Sequence, residues 1–225
     1  MAHRWKVVPL SQNQLLDIRP NDVLNNGHFR KCSTYRGGGG YDQFPIIAER
    51  RMGKKYSEQF IVQLFGCNLD CPYCYVTRAG VWGNYVEYTT NQLIDAFISS
   101  GQQTFHLMGG APALYLQYWD EMIRQLLAKC PEAIFHSDLM LTEKLYKMKW
   151  IESLQWPNVL CAVNIKGLTK EEYMANTRKD MRMNLFWTNL KLLCSNNINF
   201  YLTFTNISDA NYIDFWRICK EQFGG

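Results

Sequence analysis

Gly66-Cys67-Asn68-Leu69-Asp70-Cys71-Pro72-Tyr73-Cys74-Tyr75 is the stretch whose reading decides the fold. It follows an apolar run at 60–65 that predicts a strand. Cys67, Cys71 and Cys74 stand in a C-x3-C-x2-C spacing. Thiolates gathered in one short loop make a soft, anionic site suited to an iron–sulfur cluster or to zinc. A tetrahedral zinc needs a fourth ligand, and no neighbouring residue offers one. A [4Fe-4S] cluster held by only these cysteines leaves one iron open to a non-protein ligand.

Outward from that loop, apolar strands alternate with helical periods. Strands are predicted over 59–65, 104–108, 133–137, 158–165 and 198–205, with helices over 90–100, 115–129, 142–148, 181–195 and 209–223. A helix after each strand predicts a parallel sheet covered by helices. The repeats are too few for an eight-stranded barrel, so the fold class is α/β, a partial, open parallel β/α barrel of about five or six strands. Ligands in such folds bind at the C-terminal ends of the strands. The cysteine loop lies there, and so does Gly109-Gly110-Ala111-Pro112 after the second core strand. Glycines let backbone approach a ligand closely, and their carbonyls can accept hydrogen bonds from an ammonium.

The cysteine motif, Tyr73 just before its third cysteine, and Gly109-Gly110-Ala111-Pro112 together resemble the radical S-adenosylmethionine (SAM) superfamily over about residues 58–220. The resemblance implies a [4Fe-4S] cluster on Cys67, Cys71 and Cys74, with SAM bound to the open iron. One electron then splits the sulfonium, and a 5'-deoxyadenosyl radical takes a hydrogen atom from the substrate. It places Tyr73 near the adenine and Gly109, Gly110 and Ala111 at the methionine amino group. The family has glutamate where this chain has Ala111, a departure that removes a carboxylate and leaves the backbone acceptors. Ser137 and Asp138 end the third core strand and either reach ribose hydroxyls or begin a helix. Asn164-Ile165-Lys166 resembles the Asp-x-Lys of the glycyl-radical activating enzymes, which implies cofactor binding by Asn164 and Lys166 and a catalytic place for Lys166; a solvated lysine is the alternative. The family's open barrel usually has six strands, and residues 5–10 are a candidate for the edge strand.

Residues 1–56 read as a basic N-terminal extension completing the barrel edge, and 57–225 as the partial barrel. The extension carries ten Lys or Arg against four Asp or Glu, while the rest carries fourteen against sixteen, so an anionic partner meets the extension first. Within it, 17–27 reads as loop and Gly37-Gly38-Gly39-Gly40 as a loop or ligand-approach segment. Cys32, beside these glycines, is a candidate reactive thiol or hydrogen donor and so a second catalytic candidate. Arg50, Arg51, Lys54 and Lys55 form a solvated face or a dock for an anionic partner. Cys130, Cys161, Cys194 and Cys219 fit small buried thiols, and His106 and His136 fit satisfied sheet residues, whereas His3 and His28 lie in polar surroundings.

A hydrophobic content of 47% excludes a disordered chain, and no apolar run approaches the roughly 20 residues of a membrane helix. A cytoplasmic enzyme is expected, with a one-electron reductant such as flavodoxin or ferredoxin as partner. Its substrate class is a protein, peptide or small molecule; RNA or nucleotide modification, and a non-catalytic iron–sulfur or zinc sensor or scaffold, remain the alternatives.

Overall fold

The central strands carry apolar residues on one parity and mostly polar residues on the other, which sorts the sheet into two faces. The computed structural model describes residues 3–8, 23–25, 29–32, 59–74, 76, 78–142 and 151–224. In chain order the strands are β1 (Arg4–Val7), β2 (Val23–Asn25), β3 (Phe29–Cys32), β4 (Gln59–Gln63), β5 (Val86–Thr89), β6 (Thr104–Met108), β7 (Ile134–Leu139), β8 (Val159–Ile165) and β9 (Phe200–Phe204). The described helices are α1 (Arg78–Trp82), α2 (Thr90–Ser100), α3 (Trp119–Lys129), α4 (Lys170–Thr177), α5 (Met183–Ser195) and α6 (Asp209–Phe223).

One sheet runs β2-β3-β4-β6-β7-β8-β9, parallel from β4 to β9 and antiparallel at the β2 and β3 end. This is the expected partial barrel of parallel strands. Phe60, Val62, Phe105, Leu107, Phe135 and Val163 point to the helix layer and pack with Leu93, Phe97, Met122 and Leu190. Each such side chain contributes about 1.5–3 kcal/mol by leaving water. The opposite parity, Gln63, His106, His136, Asp138, Asn164 and Thr203, forms a polar inner face. His136 stays neutral there because burial pushes its imidazole down to about 3, and its Nε2 meets the Tyr201 hydroxyl at 3.1 Å. His106 Nδ1 meets Gln59 Oε1, so both histidines are sheet residues as their strand positions suggest.

β1 does not become an extra barrel strand. It pairs antiparallel with β5, and a backbone bond from Phe65 N to Lys6 O (3.0 Å) ties it to the chain just past β4. β3 covers Gln59 to Val62 and β1 takes over from Gln63, through Val8 N to Gln63 O at 2.9 Å. Two N-terminal segments thus cover the edge of β4 that would otherwise expose unpaired backbone groups. Trp5 anchors β1, fully buried with Nε1 donating to Thr90 Oγ1 at 3.0 Å.

Several local expectations need correction. Residues 23–25 are strand rather than loop, because a partner strand supplies the hydrogen bonds that an Asn-rich sequence does not advertise. Residues 29–32 are likewise strand, and the four glycines and the basic residues at 50–55 lie outside the described residues, as do His28 and most of the predicted 142–148 helix. The helix predicted at 115–129 begins as a tighter 3-10 segment, Pro112–Tyr118, and turns α-helical at Trp119. β5, α1 and α4 were not legible by periodicity, being only four to eight residues long. His3 is not in polar surroundings: its ring stacks on Tyr118 at 3.6 Å between centroids. No described helix is long and apolar enough to cross a membrane.

Candidate cofactor site

The cysteine loop begins where β4 ends, and backbone bonds fix it from several sides. Gly66, at φ +88°, donates from its N–H to Val81 O of α1 at 2.8 Å, while its carbonyl accepts from Ala111 N at 2.8 Å. Asp70 N donates to Thr177 O at the end of α4 (3.0 Å), and Arg178 meets the Asp70 carboxylate at 3.2 Å. That exposed pair adds at most about 1 kcal/mol, so the backbone bonds do most of the fixing. Cys67 and Cys74 pack against Val8, Val76, Val81 and Phe65. Burial pushes the Cys67 thiol up to about 11 and raises Cys71 as well, with the nearby Lys166 charge opposing both shifts. A soft cation bound here must therefore displace thiol protons.

Gly109 and Gly110, both at positive φ (+68° and +52°), fold the chain back over this loop. A Cβ on Gly110 would fall 2.3 Å from Gly66 O and 2.6 Å from Leu64 O. One on Gly109 would land on the side-chain amide of Gln63, at 1.8 Å. Only glycine permits this approach. Gln63, which the sequence reading overlooked, is buried on the inner face, and its Oε1 has no hydrogen-bond partner among the described residues. A buried acceptor in that state suits a donor from a bound ligand. An apolar residue in its place would have been unremarkable, so a buried glutamine ending a strand was the available signal.

Ala111 is 2% exposed and packs with Ala113 and Met140, with Cys67 and Leu69 alongside. The position given to glutamate in the resembled family is apolar here. Ala111→Glu is accordingly expected to lower stability by about 3 kcal/mol, since burying an unpaired carboxylate costs several kcal/mol. Denaturant unfolding of the two proteins checks this.

At the other side of the cleft, β7 and β8 present Asp138, Asn164 and Lys166. Ser137 is placed away from it: fully buried, on the helix-facing parity, with Oγ donating to Leu107 O at 2.9 Å. Asp138, one residue on, takes the inner face instead. Asn164 hydrogen-bonds to Asp138 and accepts from Thr203 Oγ1. The Lys166 ammonium lies 5.3 Å from the Tyr73 ring centroid, bridging the cysteine loop and the strand ends. Lys166 thus stands half-buried beside the cysteine loop. A small pocket lined by Leu69, Met140, Asn164, Lys166, Tyr173 and Phe186 joins these elements. Asn176 holds its rim, donating to the carbonyls of Lys166, Thr205 and Asn206 at 2.9 to 3.2 Å. Cys32 is not brought to this end: its Cα is paired with Gln59, at the N-terminal end of β4.

Burial raises the Asp138 carboxyl to about 6, against the hydrogen bond from Asn164 and the Lys166 charge. A folded pKa above the unfolded value means that the folded chain holds the proton more tightly, so stability falls as pH rises from about 4 to about 6. Asp138→Asn removes that cost. It is expected to match wild type at pH 4 and to be more stable by about 2 kcal/mol at pH 7.5, read from urea unfolding at both pH values.

The donor chemistry fits an iron–sulfur cluster: three thiols on one loop, a cation beside them and a backbone cradle over them. Among the described residues no three His, Cys, Asp or Glu side chains are arranged to hold a metal ion as they stand. The loop gathers its cysteines without closing them on one point.

The sequence profile of the radical SAM superfamily matches residues 61–221. No curated protein matches. Among solved structures, SuiB of Streptococcus suis bound to S-adenosylmethionine superposes with a TM-score of 0.52 at 11% identity, covering 84% of this chain and 44% of that chain. SuiB bound to its precursor peptide SuiA gives 0.52 at 13% identity, covering 69% and 35%. Native anSMEcpe with bound AdoMet gives 0.47 at 18%, covering 61% and 40%. The chain therefore spans less than half the length of these proteins, and the likeness to SuiB shows the fold. The superfamily profile distinguishes no branch, and the activating enzymes are not singled out. A profile running from β4 to α6, over a five-stranded parallel sheet with the cysteine loop at the end of its first parallel strand, establishes that the chain belongs to the radical SAM superfamily.

Proposed function

We propose that the chain binds SAM at a [4Fe-4S] cluster held by Cys67, Cys71 and Cys74 and uses it to abstract hydrogen from a peptide-class organic substrate. The observation that carries this is the double-glycine turn, which lies directly over the cysteine loop: Ala111 N on Gly66 O at 2.8 Å, with no room for a side chain at Gly110. When bound, the cluster would supply the one electron that reductive cleavage of the sulfonium requires. The protein's own groups do the rest. The carbonyls of Gly109 and Gly110 and the Oε1 of Gln63 would accept from the methionine ammonium, and Lys166 would meet its carboxylate, with Asn164 and Asp138 beside the lysine. Tyr73, 37% exposed beside Lys166, would border the adenine. Thr203 and Asp138 on the inner face supply polar contacts for ribose or substrate. The peptide class is favoured by the precursor peptide bound to SuiB.

The test is anaerobic loading with iron and sulfide, addition of SAM and dithionite, and chromatography of the products. 5'-Deoxyadenosine and methionine are expected. A four-iron protein that leaves SAM intact would instead support the sensing or scaffold reading, and salt-sensitive RNA binding the nucleotide one.

A further inference from the structure

Outside the barrel, the cysteine loop is covered by a small surface that the proposed cofactor chemistry does not use. Trp82 on α1 is 49% exposed, Tyr85 40% and Val86 39%, and the Trp82 and Tyr85 rings pack on Phe65, the last residue before Gly66. The Trp82 ring packs against the backbone of the loop itself, 3.6 Å from where a Gly66 Cβ would lie. One residue on is Cys67. The same patch carries positive charge. The Lys6 ammonium stands 4.6 Å from the centroid of Tyr85 and 5.9 Å from that of Phe65. Arg4 shares the outward parity of β1 with Lys6, and Arg78 lies four residues before Trp82, on the same side of α1. Glu87, opposite Lys6, is the acidic group among them, so cations outnumber it.

Exposed aromatics within a basic rim mark an interaction surface, because the rings contribute apolar area while the charges steer an acidic partner. Reductive cleavage also needs an electron from outside the chain, and this surface adjoins the first cysteine: the Trp82 ring lies against Gly66, and one peptide bond leads from there to Cys67. We propose that Trp82, Tyr85, Phe65, Lys6, Arg4 and Arg78 form the docking surface for an acidic protein that carries one electron. This rests on the proposed function for the need of an electron, whereas the binding itself does not require the cluster. In the step, the carrier's reduced cofactor loses one electron and the site gains it, with no bond made or broken at the surface.

The experiment titrates flavodoxin, and separately a plant-type ferredoxin, into the full chain at low and at physiological salt. The variants are Trp82→Ala and the pair Lys6→Gln with Arg78→Glu; glutamine at position 6 avoids setting two acids opposite one another beside Glu87. At least one carrier is expected to bind the wild-type chain at low salt, more weakly as salt rises. Affinity should fall by about tenfold or more in each variant, with an unchanged melting curve in the charge pair. In the loaded charge-pair variant, SAM cleavage driven by that carrier should fall in parallel while dithionite-driven cleavage stays at the wild-type rate. Absence of binding by both carriers, or equal binding by wild type and both variants, overturns the proposal. An equal loss of the dithionite-driven rate in the charge-pair variant also overturns it. A wild-type chain that binds the carrier through these residues but never cleaves SAM would leave the docking surface standing and defeat the proposed function.

Discussion

Replacing Cys67, Cys71 and Cys74 together with alanine is expected to bring iron and sulfide after anaerobic loading to background and to abolish SAM cleavage. The loop keeps no thiolate, and its carboxylate, Asp70, is paired with Arg178. Among the described residues no three His, Cys, Asp or Glu side chains outside the loop are gathered to hold a metal either, and Cys161 lies in the apolar helix-facing layer. The fold should survive, because the loop is fixed by backbone bonds from Gly66, Asp70 and Ala111 rather than by its thiols. Loss of the small packing contributions of Cys67 and Cys74 costs about 1 kcal/mol each. Cys130→Ala, at the C-terminal end of α3, should load like wild type. Iron and sulfide assays with a circular-dichroism melt separate loss of ligands from loss of fold. Undiminished iron in the triple variant would contradict the ligand assignment.

Gly110→Ala should come next in size. The added methyl would fall within 2.6 Å of two backbone carbonyl oxygens, neither of which can rotate aside as a side chain would. The φ of +52° adds about 1–2 kcal/mol of its own for a non-glycine residue. The turn must therefore lift away from Gly66, and the Ala111 N bond to Gly66 O breaks or lengthens. Displacement of positioning groups by about 1 Å costs on the order of a hundredfold in rate, so SAM cleavage should fall by about that factor while iron content holds. Rate and iron measured on the same preparation test this. Gly101→Ala, a helix C-cap with open space around it, serves as the comparison and should lose only stability.

The strand-and-helix repeat from β4 to α6 was legible because each strand is a short apolar run and α2, α3, α5 and α6 are long enough to show a period. The cysteine loop and the double glycine were legible for a different reason: their chemistry is local in sequence. What stayed hidden depends on distant partners. Nothing near Val23 or Phe29 announces an antiparallel partner, and nothing in residues 4–7 says that β5 rather than the barrel will pair with them. Ser137 and Asp138 were adjacent candidates, and only the strand's parity decides that aspartate faces inward while serine is held by Leu107 O. Gln63 and Asn176 were invisible because their roles come from what they touch, a glycine turn and three loop carbonyls. Ala111 is the informative departure: its surroundings are apolar, and a glutamate there would be buried without a partner.

The most direct measurement is low-temperature EPR of the anaerobically loaded, dithionite-reduced protein, with and without SAM, alongside iron and sulfide analysis. About four iron and four sulfide per chain, and a reduced-cluster signal whose g-values shift when SAM is added, are predicted. Zinc in place of iron, or a four-iron signal that SAM leaves unmoved, would contradict a cluster on Cys67, Cys71 and Cys74 that holds SAM at its open iron.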